Sequence, residues 1–248
     1  MKTRIILPDT EGISEAGAIL RDGGLVAFPT ETVYGLGANA LDAVATKHIY
    51  EAKGRPSDNP MIVHVASIDM LNEVASDVTD EQKAIMSKLW PGPVTFVLRK
   101  NPAVPDVTTG GLDTVAVRWP SRREAAEIIE AAGVPIAAPS ANLSGKPSPT
   151  TFEDVAEDMD GRIDAIVKGE RTAIGIESTV LDLTSEVPTI LRPGFITKSQ
   201  IEEAVDGEVQ YDQSLFKKPG EDDFHPKSPG MKYKHYAPKA AVRIVEGS

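Results

Sequence analysis

The stretch "KGRPSDNPMIVHV", residues 53–65, joins a segment that reads as a helix (41–52) to one that reads as a strand, "MIVHV" (61–65). Gly54 ends the helix, and Pro56 and Pro60 block its continuation. A helix feeding a short β-branched run is the unit of an α/β sheet. That punctuation leaves two cations, Lys53 and Arg55, together with Asp58 and Asn59, unexplained by the turn itself.

Outward from this turn, apolar runs alternate with amphipathic segments along the chain. Strands are expected at 24–28, 61–65, 93–99, 114–119, 134–138, 165–168, 178–183 and 189–192. Helices are expected at 11–21, 41–52, 67–75, 79–89, 121–132, 151–158 and 197–205, several opening on a capping residue such as Ser67, Thr79 or Ser121. Strands 93–99 and 114–119, like 178–183 and 189–192, follow one another with no helix between, which implies hairpin-like pairing. The fold class is therefore α/β, a twisted mixed sheet flanked by helices. After residue 205 the composition changes. Residues 206–225 hold six acids and read as a linker; residues 226–245 hold five Lys or Arg and no acid. The chain is expected to divide into a domain over 1–205, an extended linker over 206–241 and the opening strand of a further domain at 242–248.

The 248 residues are 41% apolar with a net charge of −11. That balance argues against broad attraction to nucleic acid or anionic membranes. With no cysteine there is no disulfide, thiolate zinc site or cysteine nucleophile. The first residues are too short an apolar run for a signal segment, and nothing approaches the roughly 20 apolar residues that span a bilayer. A cytoplasmic location, without membrane association, is expected.

Five strand ends carry small, hydroxylated or cationic residues with Gly or Pro: "FPTETVYGLG" (28–37), "KGRPSDNPMIVH" (53–64), "TVAVRWPS" (114–121), "APSANLSGKPSPT" (138–150), and "GIESTV" with "LRPG" (175–180, 191–194). Singly, each has an ordinary structural reading: "PTET" as a helix N-cap, "PSANLSGKPSP" as a surface loop, Arg118 as the partner of a surface acid. Together they point to a ligand in the crevice that strand ends leave in an open α/β sheet. "GLGANA" (35–40) fits a loose dinucleotide fingerprint but lacks an acid at the end of the next strand. "SANLSGKP" (140–147) is not a phosphate-binding P-loop, because Ser140 stands where the first Gly belongs and Pro147 where a hydroxyl belongs.

Lys53, Arg55, Arg118, Lys146 and Arg192 all lie in these turns, which points to a polyanion such as a nucleoside triphosphate. Thr30, Thr32, Asn59, Ser140, Asn142, Ser178 and Thr179 would complete its contacts. The four histidines, 48, 64, 225 and 235, are scattered, so no protein-held metal is expected; Mg2+ carried mainly by the phosphates fits better. His64 alternates with Ile62 and equally fits a core histidine.

Taken in order, Lys53-x-Arg55, Ser140-x-Asn142, "PTETVYGLG", "SDNPMIVHV", "LWPGPVTFVL" and "ESTVLD" resemble the YrdC-like domain family over about residues 10–205. The tail "SPGMKYKHYAP" (228–238) is similar to the linker of the family's long branch of threonylcarbamoyl-AMP synthases, with the second domain cut short. The resemblance implies that L-threonine, bicarbonate and ATP give threonylcarbamoyl-AMP and pyrophosphate. A downstream tRNA threonylcarbamoyl transferase complex then uses the product, with at most weak tRNA contact here. It implies catalytic roles for Lys53 and Arg55. Arg55, Asn59, Thr114, Ser140, Asn142, Ser148 and Arg192 would face ATP, with Tyr236 or its neighbour His235 closing over it as a lid. Thr32, His64, Arg118, the backbone at Ala138, and Ser178 would hold threonine. An RNA-binding module without catalysis is the alternative. The acidic charge and 5% aromatic content speak against it. A carbamoyl-transfer module of hydrogenase maturation would adjoin cysteine zinc motifs, which this sequence lacks.

Overall fold

In the computed structural model, which describes residues 2–216, the turn at 53–60 follows its punctuation. The helix before it starts where the Asp42 carboxylate accepts the backbone N–H groups of Val44 and Ala45, and ends at Gly54, whose φ of 60° is left-handed. The elements in chain order begin with β1 (Arg4–Ile6), α1 (Thr10–Arg21), β2 (Val26–Pro29), β3 (Tyr34–Asn39), α2 (Ala43–Lys53), β4 (Ile62–His64) and α3 (Ile68–Val74). There follow α4 (Asp80–Leu89), β5 (Val94–Arg99), α5 (Asp106–Thr109), β6 (Thr114–Arg118), α6 (Arg123–Ala132), β7 (Ile136–Ala137) and α7 (Phe152–Met159). The last are β8 (Ala165–Val167), β9 (Thr179–Asp182), β10 (Thr189–Arg192), α8 (Lys198–Val205), β11 (Gln210–Tyr211) and a 3-10 turn, Gln213–Phe216.

The strands form one sheet in the order β1-β8-β2-β3-β7-β4-β6-β5-β9-β10-β11. It is mixed, as expected. β5 pairs antiparallel with β6, and β9 with β10, while β4 runs parallel to β6 and β5 parallel to β9. Successive side chains alternate between its faces. On one face Ala16 and Leu20 of α1 pack with Ile128 and Ile129 of α6 over Val26, Phe28 and Ile136. The other face buries Ala27, Val63, Val117 and Leu181 under Ile49, Leu71, Ile85 and Ile201 of α2, α3, α4 and α8. Further along the α1/α6 face, Ile62, Val97, Ala116, Val180 and Leu191 form a small cluster of their own.

Several local expectations are corrected. "PTET" does not cap a helix; it is the connection of a β2–β3 hairpin, closed by Thr30 Oγ1 donating to the Val33 carbonyl at 2.7 Å. "YGLGAN", expected to lie between a strand and a helix, is itself a strand. Gly37 is needed there because a Cβ would sit 2.7 Å from the Phe28 ring and 2.9 Å from Ile136. Ser67 and Thr79 cap α3 and α4, but α6 is preceded by Arg122 with no side-chain cap bond, so Ser121 is not a cap. The segment expected to leave the domain at 206 first adds β11, parallel to β10, at the end of the sheet.

Candidate active site

Parallel strands β4 and β6 end side by side, with His64 and Arg118 as register partners. Antiparallel β7 crosses beside them, pairing Ile136 with His64, and Ala138 N donates to the Ile62 carbonyl at 2.9 Å. The two-residue period puts Ile62 and His64 on one face and Ala116 and Arg118 on the same face of the next strand. These ends, the β2–β3 turn, the start of β9 and the end of β10 enclose a cavity. Thr32, His64, Arg118, Ala138 and Ser178 all line it, with Arg55, Ser140 and Arg192.

Arg118 is held on two sides. Its Nη1 donates to Thr32 Oγ1 at 2.9 Å, and its Nη2 lies 2.8 Å from Glu31 Oε1. The second contact is a buried ion pair. Glu31 Oε1 also accepts the Ser121 N–H at 3.2 Å. Burial alone would raise the Glu31 carboxyl. The Arg118 guanidinium and its hydrogen bonds outweigh that and hold it below the usual carboxylate range. Arg118 is therefore not paired with a surface acid but with a buried one.

His64 is 3% exposed. Burial, and then the neighbouring Arg118 charge, push its imidazole down to about 3, so it is neutral at neutral pH. Its Nδ1 is buried with no hydrogen-bond partner, unlike a satisfied core histidine. Across the cavity Ser178 is braced by Arg192, whose Nη2 donates to its carbonyl at 2.8 Å and to its Oγ at 3.2 Å. The "LRPG" turn passes so close that a Cβ at Gly194 would lie 2.4 Å from Thr179 N and 2.6 Å from the Glu177 carbonyl.

The nucleotide side rests on turns. Arg55 Nη2 donates to the Pro60 carbonyl at 2.9 Å, which orients the guanidinium that lines the cavity. Lys53, expected at the phosphates beside it, is 2% exposed, and its Nζ donates to the carbonyls of Ser140 and Asn142. Burial and the Arg55 charge push its ammonium well below the ordinary lysine range, Asp158 opposing. Lys53 thus straps the 140–142 loop from behind. Asn142 closes the same loop through Nδ2, donating to the carbonyls of Leu143 and Lys146 at 2.8 Å each. Ser148 reaches the cavity indirectly, by donating to the carboxylate of Glu177, which lines it. Asn59 is fully buried behind the turn, and its carbonyl accepts the Tyr50 hydroxyl. Thr114 lies at the opposite end of β6 from Arg118, paired with Arg99. Lys146 is turned onto Asp158. None of Lys53, Asn59, Thr114, Asn142, Ser148 and Lys146 is in the lining. Tyr236 and His235 lie outside the described residues.

The sequence reading assigned no role to Glu31, Gly35, Glu177 or Thr95. Glu31 stands between the two threonines of "PTET", and Thr95 is the lone hydroxyl in the apolar run "VTFVL". Each is a polar residue where the local pattern wants none, and that is the signal that could have found them.

Residues 18–194 match the family model for Sua5, YciO and YrdC, described as "Telomere recombination". Residues 196–248 match the model for the threonylcarbamoyl-AMP synthase C-terminal domain. The chain is 53% identical to the threonylcarbamoyl-AMP synthase of Pyrococcus abyssi over 94% of its own length and 67% of that protein's. It is 54% identical to the synthase of Bacillus subtilis over 95% and 67%. The crystal structure of P. abyssi Sua5 complexed with L-threonine superposes with a TM-score of 0.90 at 51% identity, over 96% of this chain and 70% of that one. By sequence and by fold, this chain belongs to the Sua5/YciO/YrdC family.

Proposed function

We infer that this cavity makes threonylcarbamoyl-AMP and pyrophosphate from L-threonine, bicarbonate and ATP. The observation that carries the reading is the convergence of Thr32, His64, Arg118, Ala138 and Ser178 on one cavity rimmed by Arg55 and Arg192. It joins an amino-acid-sized polar pocket to cations suited to a triphosphate. The curated relatives bear the synthase name, and the superposing P. abyssi structure is a complex with L-threonine; both favour catalysis over an RNA-binding module.

Chemically, little is asked of the protein beyond placement. Arg118, held between Thr32 and Glu31, offers donors to the threonine carboxylate. Its charge lowers the pKa of the α-amine, favouring the neutral nucleophile, and neutral His64 adds no charge of its own. Bicarbonate takes up a proton and loses water to give CO2, and the amine adds to that CO2 with loss of a proton, forming the carbamate. A carbamate oxygen then attacks the α-phosphorus as the bond to the bridging β-phosphate oxygen breaks, and pyrophosphate leaves. Arg55 and Arg192 offset charge on the phosphates. Lys53 acts by holding the Ser140 loop. Among the described residues no group of three or more His, Cys, Asp or Glu could hold a metal ion, so Mg2+ would arrive on the phosphates. Delivery of the product to a tRNA-modifying transferase completes the proposal. No helix among the described residues is long and apolar enough to cross a membrane. The test is pyrophosphate release from ATP: it should require both threonine and bicarbonate. RNA binding without such release would leave the non-catalytic reading standing.

A further inference from the structure

Two hydroxyls line the cavity, Thr32 and Ser178. Thr32 Oγ1 accepts from Arg118 Nη1 at 2.9 Å and lies 2.9 Å from Thr30 Oγ1, a contact in which either hydroxyl can donate. The direction of Ser178 is fixed. Thr95 Oγ1 is fully buried, and its one hydrogen-bond partner among the described residues is Ser178 Oγ at 2.7 Å. A buried hydroxyl hydrogen with one place to go donates there. Ser178 Oγ accepts as well from Arg192 Nη2 at 3.2 Å. Both its lone pairs are taken and its own hydrogen remains.

We propose that Thr95 is a positioning residue that fixes Ser178 as a hydrogen-bond donor into the cavity. The pocket then reads hydrogen-bond direction as well as shape at that point. Its occupant must turn an acceptor oxygen to Ser178, which L-threonine can do with its carboxylate or its hydroxyl.

The inference rests on the cavity being the threonine site, and the test separates the two. Threonine affinity is measured directly by calorimetry, and KM for threonine and for ATP by pyrophosphate release, in Thr95→Val and Thr95→Ser. Valine keeps the shape and loses the hydroxyl; serine keeps the hydroxyl and loses the methyl. Thr95→Val should raise the threonine KM about tenfold, the loss of about one oriented hydrogen bond. It should leave the ATP KM within about twofold, and Thr95→Ser should stay near wild type. If valine does not fold, Thr95→Ala, compared with Thr95→Ser, carries the same expectation. Wild-type threonine affinity in the hydroxyl-free variant, or equal damage in serine and valine, overturns the relay. Absence of threonine binding by the unsubstituted chain would instead overturn the site assignment.

Discussion

Thr32, His64, Arg118 and Ser178 reach the cavity from strand ends or from the tight β2–β3 turn, and pairing with neighbouring strands sets where they stand. Arg55 and Ser140 reach it from turns, and side-chain bonds to backbone carbonyls set where they stand. The amino-acid side is thus a product of sheet register, braced by the buried Arg118–Glu31 pair. The nucleotide side depends on a few straps, chiefly Lys53 and Asn142. The difference predicts that substitutions on the first side damage binding of one substrate severely. On the second side they should loosen geometry and separate into those that touch the ligand and those that hold the loop.

The largest effect is expected at Arg118. Lysine cannot span Thr32 and Glu31 while presenting a fork to a carboxylate, and it would leave part of a buried charge network unpaired. Arg118→Lys should lower kcat/KM for threonine about 100-fold, about 2.8 kcal/mol, with ATP affinity little changed. Equal losses for both substrates would mean that the two sides are not separable.

Next come the two cations of the opening turn. Arg55→Gln removes charge at the cavity, so kcat/KM for ATP should fall about tenfold with an unchanged melting temperature. Lys53→Met leaves two carbonyls without their donor. It should lower unfolding stability by about 2 kcal/mol, and ATP affinity with it. Denaturant titration of both variants decides. A Lys53→Met protein as stable as wild type but lacking activity would return Lys53 to direct phosphate contact.

A smaller effect concerns pH. In the unfolded chain His64 protonates below about 6.5, but in the native protein only below about 3. Between those values the unfolded chain holds the extra proton, so acid favours unfolding. His64→Gln should flatten the fall of stability from pH 6.5 towards 3 by up to about 1.4 kcal/mol per pH unit. An unaltered slope in pH-dependent urea melts would show that His64 titrates normally. The acid limb of the threonine KM should likewise not centre near 6.5.

How far the sequence could be read follows the same division. The α2–β4 turn was legible because glycine and proline act locally, and the antiparallel β5–β6 and β9–β10 pairs because no helix separates them. β3 was not. Its glycines fit a loose dinucleotide fingerprint, yet Gly37 is there for Phe28 and Ile136, contacts that only the assembled sheet brings. Strands β1 and β11 are too short to show a period and exist by pairing with β8 and β10. At the site, hydroxyl and cation patterns at strand ends picked out Thr32, His64, Arg118 and Ser178, which line one cavity. They did not reveal that Lys53 Nζ bonds the Ser140 and Asn142 carbonyls, nor that Glu31 pairs with Arg118. Side-chain direction in a turn is settled by long-range partners.

The smallest effect sharpens that last point. Lys146 shares the Ser140 loop and counts, by sequence, among the phosphate cations. Its Nζ lies 2.5 Å from Asp158 Oδ1 and 3.5 Å from Glu157 Oε1, and the Asp158 carboxylate raises its pKa. What the loop takes from this residue is its carbonyl, which accepts from Asn142 Nδ2 at 2.8 Å and survives truncation of the side chain. Lys146→Ala should therefore leave the ATP KM within about twofold, since its ammonium is turned onto Asp158 and the loop keeps the carbonyl it uses. Asn142→Ala removes the strap itself and should raise that KM more than Lys146→Ala does. Measured side by side in pyrophosphate release, a rise above fivefold for Lys146→Ala would mean that this lysine swings from Asp158 to the phosphates. The nucleotide side would then recruit its cations on binding, where the threonine side has its own already in place.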